Sequence, residues 1–132
     1  MTGYAIVLAS GELERITAAS IIGSVAASMD IPVSIFVTME GLGAFERERV
    51  EARDFDGGAI AQAMATAEDV RVPLFTEQLR QAKEIGPLEV YACTMVMDLL
   101  GTTIDDYVDV FDGELGVAGF LNKAEGKEVI FV

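Results

Sequence analysis

Three short runs of strand-forming residues constrain this chain more than anything else in it. Residues 4–9 (YAIVLA), 32–39 (PVSIFVTM) and 88–91 (LEVY) are rich in β-branched, aliphatic and aromatic side chains. The first is apolar throughout, as expected of a strand buried on both faces. Strands of that kind belong to parallel sheets with helices on both sides. Pro32 is expected to open the second run, where a missing N–H is tolerated. Parallel neighbours need crossovers rather than hairpins, so the intervening stretches should be helices.

The first crossover follows Ser10-Gly11, either of which can cap a helix, with Glu12 and Glu14 in a first turn that favours acids. Ile22, Val25, Ala26 and Met29 repeat at i, i+3, i+4 and i+7, which predicts one buried helix face. Residues 73–85 form a second helix, with Pro73 in its first turn and Leu74, Phe75, Leu79 and Ala82 as its apolar stripe. Gly86-Pro87 stops it. Thr103 and Asp106 resemble a capping box for a short helix through Val108, and residues 109–111 suggest a brief fourth strand. Residues 115–124 read as a helix with Phe120 and Leu121 inward, ended by Gly126 before a last apolar strand at 128–132. The expected fold is therefore α/β: a three-layer α/β/α sandwich with a mostly parallel sheet of about five strands. At 132 residues it is one domain, 1–132. An irregular or helical excursion at about 44–72 is too long for a plain crossover. It includes the alternating charges of 45–54 (FERERVEARD), read as a solvated face, a break at Asp56-Gly57-Gly58, and a short helix at 59–67.

Composition narrows the chemistry. Nine basic residues stand against 22 acidic ones, a net charge of −13. Such a field repels phosphate backbones and anionic lipid heads, so neither nucleic acid nor membrane is an expected partner. With one cysteine and no histidine, disulfide frameworks, Ser-His-Asp and Cys-His catalysis lack their parts, and a zinc or iron–sulfur site has almost no ligands. No cofactor is expected. The first loop, ASGELER, is poor in the Ser, Thr and Gly that cradle a flavin phosphate, and 40–43 (EGLG) lacks a dinucleotide or P-loop fingerprint. No secretory leader or membrane span is evident, and a free thiol suits the cytoplasm.

That thiol is Cys93, in LEVYACTMVMDLLG at 88–101, where the third strand hands over to a helix expected from Met95 to Leu100 with Gly101 as its C′ residue. A helix N-terminus carries unpaired N–H groups and partial positive charge, which favours the nucleophilic thiolate. Open α/β sheets also bind ligands beyond the carboxyl ends of their strands. The opposing reading is a small buried hydrophobe. Thr94 and Asp98 flank the thiol on that helix, Asp98 as a first-turn residue facing the dipole. Met95 and Met97 are core or a soft pocket lining. Ser10 and Gly11 after the first strand, and Glu40, Gly41 and Gly43 after the second, fall at the same sheet edge as further pocket residues. A plain turn is the alternative for the glycine loop. The nearest cations in sequence are Arg80 and Lys83.

The run ACTMVMDLLG, the helix–Gly–strand before it and the closing GVAGFLNKAEGKEVIFV resemble the DsrE/DsrF-like family, and within it the DsrE2 group. Members of that group carry a similar A-C-x-M-x-M-D-x-x-G signature around one cysteine. The resemblance covers about residues 70–132, with YAIVLAS in support, and fades across 44–70. It implies an α/β/α sandwich assembled as a homo-oligomer and engaged in sulfur trafficking. By that likeness Cys93 holds sulfane sulfur as a persulfide or thiosulfonate, with Thr94, Met95, Met97 and Asp98 beside it. Thr38 to Leu42 resembles the family's second-strand loop, with Met39 and Glu40 where aromatic residues are common. Implied partners are TusA-like or rhodanese-like sulfur carrier proteins. The chain would then be a sulfurtransferase-like carrier rather than a stand-alone turnover enzyme. The alternative is a non-catalytic assembly or binding subunit of a sulfur-relay complex with an inert Cys93. Mean hydropathy is high, at +0.40, and large apolar patches mark interfaces, so a homo-oligomer is expected under either reading.

Overall fold

The computed structural model describes residues 3–67 and 72–132. Five parallel strands make one sheet: β1 (Tyr4–Leu8), β2 (Val33–Val37), β3 (Leu88–Cys93), β4 (Gly113–Leu115) and β5 (Glu128–Phe131), in the spatial order β4-β3-β2-β1-β5. This is the expected α/β sheet, parallel throughout. β2 is buried at all five positions. Pro32 lies one residue before β2, and its carbonyl accepts the Tyr4 N–H.

Two helices cover one face of the sheet. α1 (Leu13–Ser28) and α5 (Phe75–Ile85) pack side by side there. The expected stripe on α1 is a correction: Ile22, Val25 and Met29 are exposed, and of that set only Ala26 is buried. The inward face is instead Ile16, Ala19, Ser20, Gly23, Ala26 and Ala27. A Cβ on Gly23 would lie 3.4 Å from the Ile35 and Leu88 methyls. The helix is apolar on nearly all sides, and the sheet takes its small-residue face because that face lets the backbones approach. α5 matches its expected stripe at Phe75, Leu79 and Ala82, although Pro73 precedes the N-cap residue Leu74.

On the other face lies α7 (Val117–Ala124), where Phe36 and Phe120 stack with ring centroids 4.7 Å apart. Phe120 is inward as expected, but Leu121 is 61% exposed. Successive residues of a helix point about 100° apart, so the two do not share a face. The fourth strand forms at Gly113–Leu115 rather than at 109–111. Val110 is buried in the loop instead, and the Asp112 carboxylate accepts the Val90 N–H (2.8 Å). The Thr103–Asp106 capping box is present, closing a single 3₁₀ turn, Ile104–Asp106, rather than a helix through Val108.

The stretch after β2 turns helical at Met39, directly after the extended Thr38. Glu40, Gly41 and Gly43 lie in a one-turn helix, α2 (Met39–Gly43), not an open loop. α3 (Arg47–Ala52) and α4 (Ala59–Thr66) follow, and the part of the excursion at 68–71 lies outside the described residues. The charged stretch 45–54 is not wholly solvated. Phe45 is fully buried, its ring 4.9 Å from Phe75 and 5.4 Å from Phe111, and its carbonyl accepts the Val108 N–H. No helix among the described residues is long and apolar enough to cross a membrane.

Candidate functional site

Cys93 is both the last residue of β3 and the N-cap of α6 (Thr94–Leu100), which Gly101 ends in the left-handed conformation (φ +67°). The strand-to-helix placement is as the sequence implies. In register, β3 lies beside β2 through Val37↔Ala92 and beside β4 through Cys93↔Leu115. Thr38, the buried N-cap of α2, therefore follows one step along from the residue that faces Ala92. Strand side chains alternate between faces, and Tyr91 shares a face with Phe36. The thiol accordingly points to the α7 side. It is free and 1% exposed.

Around it, Thr94 donates its hydroxyl to the Leu115 carbonyl at 3.4 Å, and a Cβ on Gly116 would lie 3.7 Å from that hydroxyl. Val96 and Met97 are buried in the core, whereas Met95 is 47% exposed. Asp98 is exposed and is the fifth residue of α6, so the expected first-turn pairing with the dipole does not occur. Helix winding begins at Thr94, one residue earlier than the sequence suggests. Arg80 and Lys83 are engaged elsewhere: Arg80 donates to the Asp109 carbonyl, and Lys83 bonds both the Val110 carbonyl and the Asp112 carboxylate at 2.8 Å.

The first and second strand ends meet through backbone. Gly41 donates to the Ala9 carbonyl, and a Cβ on Gly41 would fall 2.6 Å from the Leu8 carbonyl oxygen. One on Gly11 would fall 2.8 Å from that of Glu40. Ser10, Gly11, Glu40 and Gly41 thus form one tight corner, where glycine is required for room. Ser10 accepts the Glu12 N–H rather than capping the helix, and Glu12 itself is the N-cap. Gly43 faces α3 instead, nearest to Arg49 and Glu46. The sequence reading missed Leu115 opposite Cys93 and Gly116 beside Thr94, because the fourth strand was expected four residues early.

A cavity of about 300 Å³ lies away from Cys93. It lies on the α1 side, between α1, α4, residues 53–57 and residues 72–74. There the Glu14 carboxylate accepts the N–H groups of Gly58 (2.9 Å) and Ala61 (3.2 Å), and these bonds, that of Gly58 foremost, hold its pKa below the usual 4.5. On the Cys93 side, Tyr91 donates to Glu89 at 2.8 Å. Burial foremost raises its phenol pKa, and Lys123 lies 5.3 Å from its ring centroid. Among the described residues, no cluster of His, Cys, Asp and Glu is arranged to hold a metal ion.

Comparison with known proteins places the fold. The model of the DsrE/DsrF/DrsH-like family matches residues 2–74. That span takes in the excursion where the sequence resemblance fades, and it ends before β3 and Cys93. The uncharacterized protein YrkE of Bacillus subtilis (strain 168) is 29% identical, with 91% of this chain and 89% of that protein aligned. Two solved structures match over the full length of both chains at 11% identity. They are a protein of unknown function, MTH1491, from Methanobacterium thermoautotrophicum (TM-score 0.67) and the ychN protein from E. coli (TM-score 0.63). These two likenesses are of fold.

Proposed function

The chain belongs to the DsrE/DsrF/DrsH-like family, generally linked to sulfur relay, and from that premise we propose that Cys93 carries sulfane sulfur, as a persulfide or thiosulfonate, for transfer to a partner thiol. The observation that carries this reading is the position of the chain's one thiol at the carboxyl edge of a parallel sheet, as the N-cap of a helix. In the loading step the Cys93 thiolate attacks the outer sulfur of a donor persulfide. A new S–S bond forms on Cys93, the donor's S–S bond breaks, and the donor leaves as a thiolate. An acceptor thiolate then attacks the same outer sulfur, and Cys93 is the leaving group. No metal, base or external oxidant enters. The supporting partners are small sulfur carriers of TusA-like or rhodanese-like type, in the reducing cytoplasm.

Burial of the thiol at 1% exposure favours the second reading, an assembly subunit with an inert Cys93. Loading requires the buried thiol to be uncovered first. Intact mass after incubation with polysulfide separates the two. A reversible gain of about 32 Da, absent in Cys93→Ser, supports the carrier. No gain, with alkylation blocked as well, assigns Cys93 to the core and leaves the assembly reading.

Assembly is part of the proposal. Ile21 and Val25 on α1 and Ile85 on α5 are each more than 40% exposed and line a shallow groove of about 230 Å³, and Ile22 and the C-cap residue Met29 are exposed as well. A helix apolar on all sides is ordinarily a buried one. A second copy of the chain over this ridge would make α1 such a helix.

A further inference from the structure

We propose that the cavity between α1 and α4 is a binding site for a small organic anion with an apolar body, separate from Cys93. Its volume is about 300 Å³. A cavity of ~150 Å³ holds benzene, so there is room here for an aryl group with a short chain. Leu13, Phe55, Met64 and Leu74 supply an apolar lining, and Arg53 and Gln62 supply the polar part.

The sign of the ligand's charge comes from Arg53. In a chain of net charge −13, cations should be claimed by carboxylates. Arg15, Arg49, Lys83 and Lys123 are in ion pairs. Arg47 and Arg80 donate to carbonyls, and Lys127 to the Ser34 hydroxyl. Arg53 alone, among the described basic residues, has no such partner. Its backbone is also held in place. As the C-cap of α3 it takes a left-handed backbone (φ +50°), and its N–H donates to the Val50 carbonyl. An exposed guanidinium lining an apolar cavity, with no carboxylate bound to it and Glu14 held on the far wall, is a charge-assisted donor for a carboxylate, sulfonate or thiosulfonate group.

The opposite wall is fixed by Glu14. Only Ala61 of α4 is buried, and the helix is tied to α1 by the Glu14 bonds to Gly58 and Ala61. A Cβ on Gly57 would lie 2.3 Å from the Ala61 Cβ and 2.8 Å from Glu14 Oε1, so that turn closes only on glycine. The site is thus preorganised along the wall formed by α1 and α4. Since Cys93 faces the α7 side, occupancy does not depend on the thiol.

The test is a titration of the isotope-labelled protein with 4-phenylbutyrate, followed by NMR. Saturable shifts at Leu13, Phe55, Met64 and Leu74 are expected, with affinity falling about tenfold in Arg53→Gln. 4-Phenylbutanol should bind the wild type as weakly as the acid binds that variant. Ala65→Trp, which fills the cavity from an exposed helix position, should abolish binding, and Cys93→Ser should leave it unchanged. Equal affinity for acid and alcohol overturns the anion assignment. Shifts confined to Ile21, Val25 and Ile85, binding that survives Ala65→Trp, or no saturation overturns the site.

Discussion

Single residues in this fold act most strongly through the room they leave. Gly86, between α5 and β3, has an extended backbone open to any residue, yet a Cβ there would sit 2.1 Å from the Ala27 carbonyl oxygen. Gly86→Ala must push α1 off the sheet, and it is expected to cost about 2–4 kcal/mol in denaturant unfolding, at the severe end for a point mutation. Tyr107 shows the opposite case, a large side chain held by one polar contact. Its ring is fully buried and its hydroxyl lies 2.7 Å from that of Thr102. Tyr107→Phe should cost about 1 kcal/mol, the worth of one internal hydrogen bond, and no change in unfolding midpoint would show that hydroxyl to be idle. The place of Cys93 was legible in sequence because a strand run, a cysteine and Gly101 follow one another within a few residues. Its burial was not, since Leu115, its partner across the sheet, comes from a strand some twenty residues on. Phe45 was read as part of a charged arm because its aromatic partners, Phe75 and Phe111, lie 30 and more positions away.

Among elements, α4 is the one whose attachment should respond to acid. The Gly58 N–H foremost, and the Ala61 N–H with it, lower the Glu14 pKa from 4.5, against a smaller opposing effect of burial; Arg15 is the cation acting with them. A carboxylate with a depressed native pKa stabilises fully above its unfolded value, and that contribution is lost as pH falls through the native one. Amide shifts of Gly58 and Ala61 should therefore stay constant above pH 4.5 and move together below it. Glu14→Gln should flatten that titration; an unchanged curve would assign it to another group. Strand and helix types were readable from period and punctuation, and β1, β2, β3 and α5 formed where expected. The facing of α1 was not readable, since two stripes of apolar residues run along it and sequence period alone does not choose between them. The shift of the fourth strand from 109–111 to Gly113–Leu115 has a similar origin: Asp112 is fixed by the Val90 N–H and Lys83, partners far off in sequence.

For the whole molecule, the exposed α1–α5 ridge predicts self-association. Sedimentation at tens of micromolar should give a species larger than the 14.1 kDa monomer, and Val25→Asp should return it to that mass. A wild-type monomer at the same concentration would remove the ridge from the assembly argument. The strand order carries a separate consequence, for synthesis. β1 lies between β2 and β5, and β5 is encoded roughly 90 residues beyond β2. At ~5–20 residues per second, translation leaves β1 with one open edge for about 5–20 s. During that interval the backbone groups that will bond residues 128–131 are available to any other extended chain. Yield in the cell should thus depend on how fast the ribosome reaches β5, and slowing codons between α5 and α7 should send more of the product into aggregates.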